Sequence, residues 1–234
     1  SSGQSCDYYN DLLLDDVSSL YAKERLDDAV RRILRVKILA GLFEENRRQA
    51  TDYSKFASDA HKKLALDAAL ESITLLKNED SFLPLSKDKK VLIAGPTANN
   101  LIFLNGAWSH TWQGADTNYN TKGCKTIREA FTSQLGPENC LFAQGAELFI
   151  EAGFEQSRLV EEADFMAKAS QSDVIVLCLG EYPSTEKPGD IHSLNLDPAQ
   201  LELAKMAYST NKQVLLIMVE GRPRIIRDIV DEAS

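Results

Sequence analysis

Val174-Ile-Val-Leu-Cys-Leu-Gly-Glu-Tyr-Pro-Ser-Thr-Glu-Lys-Pro-Gly-Asp190 falls into two halves of opposite character. The first six residues are apolar and mostly branched, with no alternation, and the run is far too short to span a membrane. Such a run reads as a strand buried on both faces, the mark of a parallel sheet covered by helices. From Gly180 the composition turns to two glutamates, an aspartate, two prolines and two glycines. Ligands of open α/β sheets bind outside the carboxyl ends of the strands, so this loop sits where chemistry is expected. Acids in such a loop are ordinarily solvated charges; they also suit the proton donor of a hydrolase.

Outward from this stretch the same strand signal recurs twice. Val91-Leu-Ile-Ala-Gly95 precedes it, and Gln213-Val-Leu-Leu-Ile-Met-Val219 follows it. Between them the pattern predicts helices over 126–135, 158–170 and 197–207, the last opened by Asp197-Pro198, and a short strand over 139–143. A short helix is expected from Ile225. Strands alternating with helices make the fold class α/β, a mostly parallel sheet sandwiched by helices.

The amino-terminal part differs. Leu26, Ala29, Val30, Ile33, Leu34 and Ile38 recur at helical spacing, predicting a helix over 23–42 that stops near Gly41, after a weaker one over 12–20. Two helices with one apolar stripe cannot form a domain and need another surface to cover it. Residues 43–51 are charged and polar. Ser58 is placed to cap a helix through Ala69, residues 73–76 read as a short strand, and 78–90 as a turn-rich connection.

Bulk properties narrow the function. With 234 residues, 44% hydrophobic and a net charge of -9, the chain is an ordinary globular protein without the basic stripe that nucleic acid requires. No apolar run reaches the roughly 20 residues of a membrane helix. The chain opens Ser-Ser-Gly, so the lack of a leader says nothing of its compartment. Cys6, Cys124, Cys140 and Cys178 show no CxxC spacing and no histidine partner, which argues against a metal site; Cys178 reads as a core residue. A Cys124–Cys140 disulfide fits the spacing as well as other pairings do. Gly95-Pro-Thr-Ala-Asn-Asn100 could form a phosphate cradle in a regulatory nucleotide-binding domain, but it carries neither GxGxxG nor GxxxxGK[ST], and no cofactor is expected.

Both tryptophans of the chain, Trp108 and Trp112, lie in the Gly- and Asn-rich segment Asn105-Gly-Ala-Trp-Ser-His-Thr-Trp-Gln-Gly114. Indoles among hydrogen-bonding groups suit a sugar ring, whose C–H face wants an aromatic and whose hydroxyls want polar partners. Packing into the core explains them equally well.

Taken in order, several motifs resemble the family 3 glycoside hydrolases, the β-glucosidase and exo-glucanase family. They are Arg32-Ile-Leu-Arg-Val-Lys-Ile-Leu-Ala-Gly-Leu-Phe43, Glu71-Ser-Ile-Thr-Leu-Leu-Lys-Asn-Glu79, Leu83-Pro-Leu85 and Val91-Leu-Ile-Ala-Gly-Pro96. The tryptophan segment 108–114, Gly180-Glu181 and Gly221-Arg-Pro223 complete the set. The resemblance implies that 1–45 end a (β/α)8-type barrel domain, that 46–57 are a linker, and that 58–234 form most of an α/β sandwich cut short at its end.

It also implies hydrolysis of β-glucosides or oligosaccharides with retention, by a nucleophile and an acid/base. The family's nucleophile is an Asp in a Ser-Asp-Trp-like motif of the barrel; Asp7 does not match it, so the nucleophile is expected outside this chain and the chain alone is expected to be inactive. Gly180-Glu-Tyr-Pro-Ser-Thr-Glu-Lys-Pro-Gly-Asp190 matches the family's Gly-Glu-x-Pro-x-Thr-Glu-x-x-Gly-Asp loop, which puts Glu186 in the acid/base position. Trp108 and Trp112 become the sugar-binding candidates, Glu181 and Asp190 supports of the loop, while His110 inherits no role. The resemblance favours a periplasmic or extracellular setting and leaves β-xylosidase or another family specificity open. The alternative is a carbohydrate-binding domain without catalysis, in which Glu186 is a surface charge.

Overall fold

The computed structural model describes residues 20–45, 52–120, 122–151 and 153–234. Of the helix expected over 12–20, residues 12–19 lie outside them. The chain divides into two compact units, 1–74 and 75–234.

The described residues of the first unit are mostly helical. α1 spans Leu20–Leu39 and is closed by hydrogen bonds from Gly41 N–H to the Ile38 carbonyl and from Leu42 N–H to the Lys37 carbonyl. These satisfy carbonyls that the helix end would otherwise orphan. α2 spans Asp59–Ser72, and the Ser58 hydroxyl accepts from His61 N–H as its sequence position predicts. Of the apolar residues on α1, Ile33 and Ile38 are each more than half exposed.

In the second unit, β1 (Val91–Ala94), β2 (Cys140–Ala143), β5 (Val174–Gly180) and β6 (Gln213–Val219) form one parallel sheet in the order β2-β1-β5-β6. β3 (Ala146–Glu151) and β4 (Phe154–Leu159) form a separate antiparallel hairpin. β1 and β5 are buried along their whole length. Their alternate side chains enter two cores. Leu92, Ala94, Ile175, Leu177 and Leu179 pack with Phe165 of α4 (Glu162–Ser170) and with Leu203, Ala204 and Ala207 of α5 (Pro198–Ser209). Val91, Ile93, Val174, Val176 and Cys178 pack on the opposite face with Leu135 of α3 (Ile127–Leu135). The sheet is thus a parallel layer with helices on both sides, as its uninterrupted apolar strands require. Thr126 and Glu129 close a reciprocal capping box at the start of α3.

Three expectations differ in detail, and one pairing left open by the sequence is decided. Residues 73–76 form no ladder with another described segment. Residues 146–159 are the β3–β4 hairpin, and the helix expected from Arg158 begins only at Glu162, after Glu161 turns the chain at φ 54°. Beyond Ile225 the chain makes turns, with Ile229 and Val230 N–H both bonded to the Ile226 carbonyl. Cys140 is a free thiol, so the Cys124–Cys140 pairing is not formed.

Candidate active site

The sheet order fixes where a ligand belongs. The connection leaving β1 runs to β2 on one side, whereas the connection leaving β5 runs to β6 on the other. Adjacent parallel strands whose connections diverge leave a crevice at their carboxyl ends, and open α/β sheets bind ligands there. The tryptophan segment follows β1 and the acidic loop follows β5, so the topology brings both unusual stretches to this one place.

Gly95 lets the two strands separate into their loops. It adopts φ 103°, and a Cβ there would meet the Cys178 carbonyl oxygen at 2.1 Å. Its role is close approach of backbones. Thr97 N–H bonds to the same carbonyl at 3.4 Å, and Thr97 and Ala98 are buried, so this loop is packed against β5.

The tryptophan segment is a closed loop. Trp108 N–H donates to the Trp112 carbonyl at 3.1 Å, and Asn105 Nδ2 donates to the Gly114 carbonyl at 3.1 Å. Gly114 sits at φ 73° against the Gly106 carbonyl, where no Cβ would fit. Trp108 and His110 both have positive φ, and the His110 ring stacks on Tyr119 at 5.5 Å. Trp108 and Trp112 are 63% and 48% exposed, so neither is packed into the core of this unit.

The acidic loop meets this surface directly. Trp112 Nε1 donates to Glu186 Oε1 at 3.1 Å, and the Gln113 carboxamide bonds to both the N–H and the carbonyl of Thr185. Glu186 is exposed and holds φ 54°, ψ -152°, a region that residues with a Cβ rarely enter. Such a conformation costs on the order of 1–3 kcal/mol and persists only where the surroundings over-determine it, which is common at functional sites. Asp190, at the loop's end, is exposed.

Beneath the loop lies a buried ionic network. The Glu181 carboxylate accepts from the N–H groups of Gly221 and Arg222, from Nε and Nη2 of Arg222, and from Nε of Arg224 at 2.8 Å. Burial alone would raise its pKa; the Arg222 hydrogen bonds and the charges of Arg224 and Arg222 outweigh that and hold it below the usual carboxylate range. Arg222 also donates to the Gly189 carbonyl, which ties the network to the Glu186 turn. Arg224 reaches Glu155 at 3.1 Å, and Glu155 accepts from Tyr182 N–H at 2.7 Å. Burial pushes the Glu155 carboxyl up despite these partners.

Sequence reasoning brought forward Gly221-Arg-Pro223 only as a family motif and overlooked Gln113, Glu155 and Arg224. Two arginines just past a buried strand were the available signal, because charge there must be paired. A cavity of about 930 Å³ lies beside the loop, lined by Gln113, Tyr182, Asp190, Asp197 and Arg222 among others; Trp112 and Glu186 do not line it. Among the described residues no group of His, Cys, Asp and Glu side chains could hold a metal ion.

Known proteins resemble this chain in sequence and fold. The chain is 36% identical over 212 residues to a lysosomal β-glucosidase of Dictyostelium discoideum, covering 87% of this chain and 25% of that protein. It is 27% identical over 234 residues to a β-xylosidase of Formosa agariphila, covering 96% of this chain and 31% of that protein. The chain therefore spans about a quarter to a third of the length of these relatives. The crystal structure of a β-glucosidase from Listeria innocua in complex with gluconolactone superimposes with a TM-score of 0.73 at 26% identity, over 90% of this chain and 27% of that one. The model of the glycosyl hydrolase family 3 C-terminal domain matches residues 73–234. With most of its length inside that match, the chain belongs to glycosyl hydrolase family 3, and the sheet carrying the tryptophan and acidic loops is the family's C-terminal domain.

Proposed function

We propose that this chain is the part of a retaining β-glycoside hydrolase that supplies the proton donor, Glu186, and a sugar-facing tryptophan surface, Trp108 and Trp112. The observation that carries the reading is the Trp112 Nε1 to Glu186 Oε1 hydrogen bond, made at the sheet's switch point by residues 74 positions apart. An indole beside a carboxyl offers a stacking face for a sugar and a proton for the oxygen that leaves it.

Retaining glycosidases need two carboxyl groups about 5–5.5 Å apart, one as nucleophile and one as acid/base. In this reading the nucleophile comes from a barrel domain outside the chain, to which residues 1–45 belong, joined through 46–57 to the sandwich of 58–234. Glu186 protonates the departing oxygen as the nucleophile bonds to the anomeric carbon, and in the second step the same group takes a proton from the attacking water. Glu181 is already committed to two arginines and two backbone N–H groups, which suits it to support the loop, and Asp190 closes the loop's far end. The apolar stripe along α1, which needs a surface to pack on, supports the barrel partner. The chain by itself is predicted to be inactive.

The substrate in this reading is a β-glucoside or β-linked oligosaccharide; a β-xyloside is the second reading, favoured by the Formosa relative. The proposed setting is periplasmic or extracellular, and the lysosomal name of the Dictyostelium relative supports a compartment outside the cytosol.

The test is Glu186→Ala in the intact protein, on a β-glucoside with a poor leaving group and on a dinitrophenyl β-glucoside. Loss of the acid should lower kcat/KM on the poor substrate by about 10²–10⁴-fold and leave the activated one nearly unchanged. Azide should then raise kcat on the activated substrate and yield glycosyl azide. Turnover of both substrates at the wild-type rate would refute the assignment and favour a binding domain.

A further inference from the structure

The backbone on either side of Glu186 is held by two different groups. The carbonyl of the Thr185–Glu186 peptide accepts from Gln113 Nε2 at 3.1 Å, while Gln113 Oε1 accepts from Thr185 N–H at 2.9 Å. On the other side, the Glu186 carbonyl accepts from Gly189 N–H at 2.8 Å, and Gly189 is in turn held by the Arg222 guanidinium. The torsions of Glu186 are rotations between these two peptide planes. A residue at φ 54°, ψ -152° relaxes unless both planes are fixed, and Gln113 is the side chain that fixes the first.

The neighbouring residue makes the arrangement specific. Trp112 holds the Glu186 carboxyl through its indole, while Gln113 holds the peptide that carries that residue. Two consecutive residues of one loop therefore grip two consecutive residues of the other, backbone and carboxyl together. A carboxamide paired both ways with one residue has a single workable orientation, since the N–H needs an acceptor and the carbonyl a donor.

We propose that Gln113 is a positioning residue for Glu186, setting the direction from which the carboxyl approaches the leaving oxygen. The inference rests on Glu186 being the proton donor. Without Gln113 the Thr185–Glu186 peptide rotates towards an unstrained conformation and carries the carboxyl out of line, although its chemistry is intact. Misplacement on the scale of an ångström costs up to about 10²-fold in rate.

The experiment uses the intact protein with Gln113→Ala, Gln113→Glu and Glu186→Ala, each assayed on methyl β-glucoside and on dinitrophenyl β-glucoside. Gln113→Glu keeps the size and the acceptor for Thr185 N–H but sets an oxygen against the Thr185 carbonyl, so it tests the clamp with little change of volume. Both Gln113 variants are expected to lose about 10- to 100-fold in kcat/KM on the methyl glucoside and less than about threefold in kcat/KM on the dinitrophenyl glucoside, whose kcat and KM fall together because the same carboxyl serves the second step. A purely structural role would lower both substrates together. Equal losses, or none, while Glu186→Ala shows its selective loss, would overturn the role of Gln113 and leave the donor standing. If Glu186→Ala shows no selectivity, the donor assignment falls and this inference with it.

Discussion

Replacing Glu181 by glutamine would change one atom and remove the charge that two buried arginines share. The Glu181 side chain is 2% exposed and that of Arg224 5%, so water cannot compensate either. In the variant an NH2 group faces donors of Arg222 or Arg224 in place of an acceptor. Breaking a buried pair from one side costs about 3–5 kcal/mol. Arg224 retains Glu155 at 3.1 Å and the carbonyls of Ser193 and Asn195, and Arg222 is partly solvated, which points to the lower end of that range. For a domain of this size about 3 kcal/mol corresponds to a fall in Tm of roughly 6–12 °C. Scanning calorimetry of the intact protein, following the transition of this domain, measures it. A second arm pairs Glu181→Gln with Arg222→Met; the double variant should be less destabilised than the sum of the singles, since the two residues share one interaction. A fall in Tm below about 2 °C would refute the reasoning, for it would put Glu181 on a par with an exposed ion pair.

Gly95→Ala should destabilise by more than about 2 kcal/mol, because the new methyl group meets the Cys178 carbonyl and the residue must hold a positive φ. An unchanged urea midpoint would contradict the close approach of β1 and β5. The network also predicts a pH dependence with two opposed limbs. The lowered Glu181 contributes stability above its unfolded pKa of about 4.3, and that contribution is lost as pH falls through its lower folded value. Glu155 and Asp197 are raised by burial, so the folded state holds protons the unfolded chain has released, and stability declines as pH rises from about 4 through their folded values. Glu155→Gln should flatten this decline in urea midpoints measured from acid to neutral pH; an unaltered slope would exclude Glu155 as its source.

The parallel sheet was legible because its central strands carry no alternation. Val91–Ala94 and Val174–Gly180 are buried on both faces, and nothing else of that length explains an unbroken branched run. The β3–β4 hairpin was not legible. Phe154–Leu159 reads Phe-Glu-Gln-Ser-Arg-Leu and presents alternate residues to solvent, so its polar half resembles the approach to a helix. Residues 73–76 show the converse, a β-branched and leucine-rich run that forms no ladder among the described residues.

At the site, composition could single out the two loops but not that they touch. The Trp112–Glu186 contact spans 74 residues and depends on β1 and β5 being neighbours, which no local pattern states. The family motif pointed to Glu186 by position. Gln113 was invisible because a glutamine in a polar loop carries no chemical signature until its partner is known.

The pairing of the two loops has a consequence for how such domains diverge and recombine. Each loop leaves its own strand, yet the hydrogen bonds of Trp112 and Gln113 join them into one module encoded by two distant gene segments. A chimera that imports only one of these segments from a relative inherits half of the clasp, and its carboxyl is presented by a stranger. Crossovers that preserve function should therefore exchange both segments or neither. Family shuffling experiments would see this as linkage between positions that lie on separate exchangeable blocks.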